Sequence, residues 1–390
     1  MTPVRRSVVV AASIAALFAL AALLALREPP KDNDVPAQAS AATEVRPLTP
    51  SPAQPRAFHA AELQSALTAV CSNSIPAANS KAWTQEEVQT QIKAIDELKQ
   101  SVSGRLSVSA SAEHLHLAAL LEDDPALRIE LLSRAISNSP SDPFLLWRMV
   151  QVCPGSAEFI ECSPRVWEQR LIAVDGQNSE SWLRVASNRY RAGETGAALH
   201  AMRHAAAAAE SRIYWTETIE MIERGLAAAG SDFPFPERAG MAFGLASMAL
   251  PMYGDITAMC LEQSSLSADW AYTCLGYGAL AEKQAKTEIG VSVGRSIQKL
   301  ALEALGEREQ AAEVEQRIQK RREEMLDSIE EHNPAIEHLI ISSPALFSTY
   351  LAAIRSDGEE AARHRITAEI KRLLEHRPEL ACESTATKQP

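Results

Sequence analysis

The chain has 390 residues, with 38 Lys and Arg against 50 Asp and Glu, and a formal net charge of −12. A nucleic-acid binder carries a basic face. Here the basic run Lys320-Arg321-Arg322 is flanked by Glu323 and Glu324. Nucleic acid is therefore excluded as the main partner, and docking of an acidic body on anionic lipid is disfavoured.

The first element is an apolar run at residues 7–26, bracketed by Arg5-Arg6 and Arg27. At about 1.5 Å per residue it makes a helix of roughly 30 Å, the thickness of a bilayer core. Arg5 and Arg6 place the N-terminus on the cytoplasmic side. Residues 1–28 thus read as a transmembrane signal-anchor of a single-pass inner-membrane protein, with the body periplasmic. The alternative is a cleaved signal peptide and a secreted body. Ala19-Leu20-Ala21 fits a small-x-small cleavage pattern, but it lies inside the run and not after it. No cysteine follows the apolar core, so a lipid-modified N-terminal Cys is not available. Ala11, Ala15 and Ala19 allow weak self-association through the anchor, although a generally Ala-rich segment explains the spacing better.

Residues 29–57 hold seven prolines, at 29, 30, 36, 47, 50, 52 and 55. With little to bury, this stretch reads as a disordered, semi-extended tether. The body that follows is rich in helix formers and reads as all-α. Thr84-Gln85-Glu86-Glu87 is a capping box, with Val88, Ile92, Ile95 and Leu98 behind it at helical spacing. Val314, Ile318, Met325 and Ile329 stripe a long charged helix.

Trp147, Trp182 and Trp215 lie 35 and 33 residues apart, close to the length of one tetratricopeptide unit. In the clearest unit Trp182 is followed by Ala186, Gly193 turns the chain, and Ala198, Met202 and Ala205 face the second helix. This stretch resembles the tetratricopeptide family. It departs at Tyr190, one place late, and lacks the closing proline. Trp167 stands at the second-helix aromatic position of the Trp147 unit, and Ala135 and Pro140 match the end of a unit at 113–140. Fainter glycine-turn-to-alanine patterns recur at Gly306 with Ala311-Ala312, and at Gly358 with Ala361-Ala362. The resemblance implies an α-solenoid of antiparallel helix pairs, with repeats over 58–238, degenerate repeats over 239–379 and a disordered tail at 380–390. It also implies a concave surface that binds peptides or partner proteins, with the tryptophans serving as repeat core.

There are six cysteines. Cys153 and Cys162 flank a Pro154-Gly155 turn, and Cys260 and Cys274 flank a polar loop, so each pair is expected to staple one helical hairpin. Cys71 and Cys382 are left unpaired. The cysteines lack the spacing of a zinc site.

Other chemistry is weakly signalled. Gly290-Val291-Ser292-Val293-Gly294 matches a nucleophile elbow, which needs a strand before it, whereas helix formers precede it here. The glycines instead suggest a flat face for close helix packing. Ser296-x-x-Lys299 lacks its companion motifs. His200 and His204 share a helix face, but Ala201 stands where a zinc protease has Glu, so they read as a surface pair. His114 and His116 point to different faces. No cofactor, metal or catalytic residue is expected. Three functions compete: a membrane-anchored protein-interaction module or scaffold, an exported helical hydrolase using Ser292, and a structural envelope component. The first is favoured, and its partner is unidentified.

Overall fold

The computed structural model describes residues 84–153, 162–231, 233–251, 253–330 and 339–376. The apolar run, the tether, Cys71, Cys382 and the C-terminal tail lie outside the described residues. Within them no helix is long and apolar enough to cross a membrane.

The described residues are all-α and contain no strands. In chain order the helices are α1 (Gln85–Leu106), α2 (Ala112–Leu121), α3 (Pro125–Asn138), α4 (Pro143–Val152), α5 (Pro164–Asp175), α6 (Ser179–Arg191) and α7 (Thr195–Ala206). Then come α8 (Trp215–Ala228), α9 (Phe235–Met248), α10 (Gly254–Leu266), α11 (Ala268–Gln284), α12 (Glu288–Leu305), α13 (Arg308–Glu330), α14 (Pro344–Asp357) and α15 (Glu359–His376).

Local chemistry sets many of these boundaries. Asp124, Asp142 and Ser343 each precede a proline at the first helical position, and each side chain accepts a backbone N–H of the first turn. Asn178 and Thr287 cap α6 and α12 in the same way. The breaks between α6 and α7, α12 and α13, and α14 and α15 fall at Gly193 (φ 74°), Gly306 (φ 80°) and Gly358 (φ 95°). Only glycine enters that region of φ without strain, so three glycines that stand out in the sequence become the three hairpin turns.

Consecutive helices pack as pairs: α2 with α3, α4 with α5, α6 with α7, α8 with α9, and onward to α14 with α15. From α1 to α7 the pairs stack in sequence. The succession then changes. The principal partners of α8 are α9, α2 and α14, while α6 and α7 pack against α10 and α11. The pair that begins at Trp215 packs back against α2, so α8 does not extend the stack along α7. Gly225 makes this crossing close, since a Cβ there would lie 2.0 Å from Leu117 Cδ2. Arg224 of α8 pairs with Glu113 of α2 at 2.8 Å, and Arg105 of α1 donates to the Ala229 carbonyl.

The main buried core runs from Val102 to Ile370, and a small second cluster joins Leu302 of α12 to Ala311 and Val314 of α13. A second close crossing joins α11 to α12. A Cβ on Gly278 would lie 2.7 Å from the Gly294 carbonyl, and one on Gly294 would lie 2.7 Å from the Glu282 amide. The expected flat glycine face is thus used at Gly294, against Gly278.

Two bridges close the expected hairpins. Cys153–Cys162 spans Cα atoms 5.6 Å apart, and Cys260–Cys274 spans 5.9 Å. Both pairs sit within ordinary disulfide reach and fit an oxidising, extracytoplasmic compartment.

Candidate functional site

The inner faces of α2, α4, α6 and α8 converge on Trp147, which is completely buried. Tyr214 stands at the start of α8 with φ 56°, the one non-glycine residue in the left-handed region among the described residues. Its ring stacks on Phe144 at 5.2 Å and tilts against Trp147 at 5.7 Å. Packing against these two rings and under the Arg212 guanidinium at 4.5 Å holds a backbone conformation that costs of order 1 kcal/mol for a non-glycine residue.

Two arginines line this centre. The Arg148 guanidinium lies 5.1 Å from the Trp147 ring and that of Arg184 lies 5.8 Å from it. Arg148 donates to the Ala249 carbonyl (2.7 Å), Gln151 Oε1 (2.8 Å) and Thr218 Oγ1 (3.1 Å). All three acceptors are neutral. Burial, with Arg184 nearby, pulls Arg148 down to about 9, so it stays cationic at neutral pH. His116, edge-on to Phe144 at 4.4 Å, is held well below its ordinary pKa by burial and by Arg148. It is neutral.

The counter-charge is Glu180, which is 1% exposed. It accepts from Tyr253 Oη (3.0 Å), Tyr277 Oη (3.0 Å) and Ser211 Oγ (3.1 Å). Burial raises its pKa, opposed by Arg184 and by the three donors. The same burial, with the Glu180 charge, pushes both tyrosines well up. This cluster ties α6 to α10 and α11. It is sealed from solvent, so its chemistry is cohesive.

Two concavities face outward. One of about 150 Å³ lies between the 210–217 segment and residues 285–290, with Ile354 and Arg355 on its far side. Backbone bridges Asn178 to Glu210 and Ser211 to Ala285 fix its wall. Its cations are engaged: Arg355 pairs with Glu220, Lys286 donates to the Ser356 carbonyl at 2.8 Å, and Arg212 lies 3.6 Å from Asp175.

The other, about 420 Å³, is an open groove at the α1 edge between α1 and the α2–α3 hairpin. Leu121 and Leu131 form its floor, with Leu127 and Val108 more exposed and Ser103 and Arg134 beside them. Val108 is 83% exposed. Glu122 and Asp123 add acidic charge at its rim.

Trp147 is the centre of the core, and Ala198 is fully buried on α7. Trp167, Trp182 and Trp215 pack partly buried against the same core. Trp167 lies under the Arg170 guanidinium at 4.8 Å, and Trp215 opens α8 on the wall of the smaller concavity. Ser292 is an exposed residue inside α12, with helix on both sides, so it does not sit at a strand-to-helix elbow. Among the described residues no three or more His, Cys, Asp or Glu side chains converge as a metal cage.

Arg148, Glu180, Arg184 and Tyr277 went unnoticed in the sequence. The available signal was charge on the inner face: Arg148 adjoins Trp147, and Glu180 and Arg184 flank Trp182 on one short helix.

No family model matches the chain, no curated protein matches it, and no solved structure matches its fold.

Proposed function

We propose that this chain is a membrane-tethered protein whose extracytoplasmic helical-repeat body binds other proteins, with the binding edge formed by α1, α2 and α3. The observation that carries the reading is the groove beneath Val108. It is an open trough at the α1 edge of the helix stack, with Leu121 and Leu131 buried in its lining. An apolar side chain as exposed as Val108, set over an apolar floor, is the arrangement expected where a partner completes the packing. The net charge of −12 favours a partner segment that carries an apolar side chain flanked by basic residues. The two disulfides support the compartment. The apolar run at 7–26 supports the tether.

A photo-crosslinking residue at position 127 of the full-length chain in its native membrane tests this. A specific adduct is expected whose crosslinked peptide is basic and apolar, and Val108→Glu should abolish it. A crosslinker on the exposed face at Lys320 should give no such adduct. If position 127 yields nothing beyond the Lys320 control, the reading fails.

A further inference from the structure

Helix α7 carries His200 and His204 one turn apart, both exposed. The indole of Trp182 on α6 lies flat on His204, with ring centroids 4.2 Å apart and planes 15° apart. Trp182 is itself anchored, since its Nε1 donates to the Gly176 carbonyl at 2.9 Å. The His204 plane is therefore fixed on one side by an immobilised aromatic. The His200 ring stands edge-on to it, with centroids 4.6 Å apart and planes at 68°. Among the described residues no hydrogen bond or ion pair engages either imidazole. The one cation between them in sequence, Arg203, is paired with Asp269.

Two histidines four apart on one helix face have the spacing with which a helix presents two nitrogens to one zinc ion.

We propose that His200 and His204 form a two-imidazole site for a divalent transition-metal ion, with water completing the coordination. Nitrogen donors select borderline ions such as Ni²⁺, Cu²⁺ and Zn²⁺ over Mg²⁺ and Ca²⁺, which require oxygen. With no third donor converging among the described residues, the site is open and exchangeable, unlike a closed structural centre. Pre-orientation of His204 by Trp182 lowers the ordering cost of chelation.

The stacked indole is also the reporter. NiCl₂ titrated into the full-length protein should quench Trp182 emission saturably, measured as the difference between the wild type and Trp182→Phe. Calorimetry should show one site that binds ZnCl₂ and ignores MgCl₂. His200→Ala and His204→Ala should each weaken binding by about 10–100-fold, at least the loss seen when an outer-shell partner of a metal ligand is removed. Each should also abolish the Trp182 component of the quench. His364→Ala, at an exposed histidine on α15, should change neither. Both substituted positions are exposed, so unchanged helical circular dichroism will confirm the fold. Wild-type affinity in the His200→Ala/His204→Ala double variant would overturn the proposal, as would a quench identical in the wild type and Trp182→Phe.

Discussion

The Glu180 carboxylate accepts a hydrogen bond from the Tyr277 hydroxyl at 3.0 Å, across 97 positions of sequence and with both groups buried. That contact, with its twin from Tyr253, joins the first stack of helix pairs to the helices that follow. A hydrogen bond to a charged buried acceptor contributes about 1.5–3 kcal/mol net. Tyr277→Phe should therefore destabilise the body by about 1.5–3 kcal/mol. A lower urea midpoint at unchanged slope is the expected result. A midpoint equal to that of the wild type would show that the cluster contributes no cohesion.

Acid stability should depend on Glu282. Its carboxylate accepts from Gln298 Nε2 (2.6 Å), Arg295 Nε (2.8 Å) and Arg317 Nε (3.1 Å). These donors outweigh its burial and hold it at about 2, below the ordinary 4.5. A depressed folded pKa gives stability that is present above the unfolded value and is lost as pH falls through the folded one. The Glu282 contribution should thus fade between pH 4.5 and about 2. Glu282→Gln should flatten that limb of a stability profile and leave its shape above pH 6 unchanged. Chemical denaturation at stepped pH provides the measurement.

The α11–α12 crossing should tolerate no added carbon. Gly294→Ala places Cβ 2.7 Å from the Glu282 amide and 2.8 Å from the Gly278 carbonyl, both backbone atoms. Overpacking of this kind costs about 1–3 kcal/mol. Gly196 on α7 has nothing within 4 Å of its would-be Cβ. Gly196→Ala should therefore raise stability, by up to about 1 kcal/mol. Melting temperatures of the two variants should move in opposite directions.

The Cys260–Cys274 bridge closes a loop across 14 positions, and both sulfurs are buried. Cross-linking a loop of that size contributes about 2–3 kcal/mol. The Cys260→Ser/Cys274→Ser double variant should lose that amount while remaining helical. Reduction of the wild type also opens Cys153–Cys162 and should produce a larger fall in melting temperature.

Legibility from sequence followed the range of the interactions. Gly193, Gly306 and Gly358 were readable as turns because a positive φ is a one-residue requirement. The two cysteine pairs were readable because each is close in sequence. Gly294 was readable as a packing face, but its partner Gly278 was not, because nothing local ties positions 16 apart on two helices. The path of the chain after α7 was not readable either. The Trp215 unit has the right spacing, yet α8 is drawn onto α2 by Gly225 and Arg224 and its start onto α4 by the Phe144–Tyr214 stack, and none of these pairings leaves a periodic trace. Ile92 fits the apolar spacing of α1 and is nevertheless 46% exposed, since no described helix covers that end.

The two disulfides suggest an oxidising, extracytoplasmic compartment for the body, and the proposed anchor and tether depend on that placement. The most direct measurement is non-reducing peptide mapping of the protein isolated from its native membrane under thiol-blocking conditions. Cys153 linked to Cys162 and Cys260 linked to Cys274 is the predicted result. All four recovered as blocked free thiols would contradict the exported topology and the tethered interaction module with it.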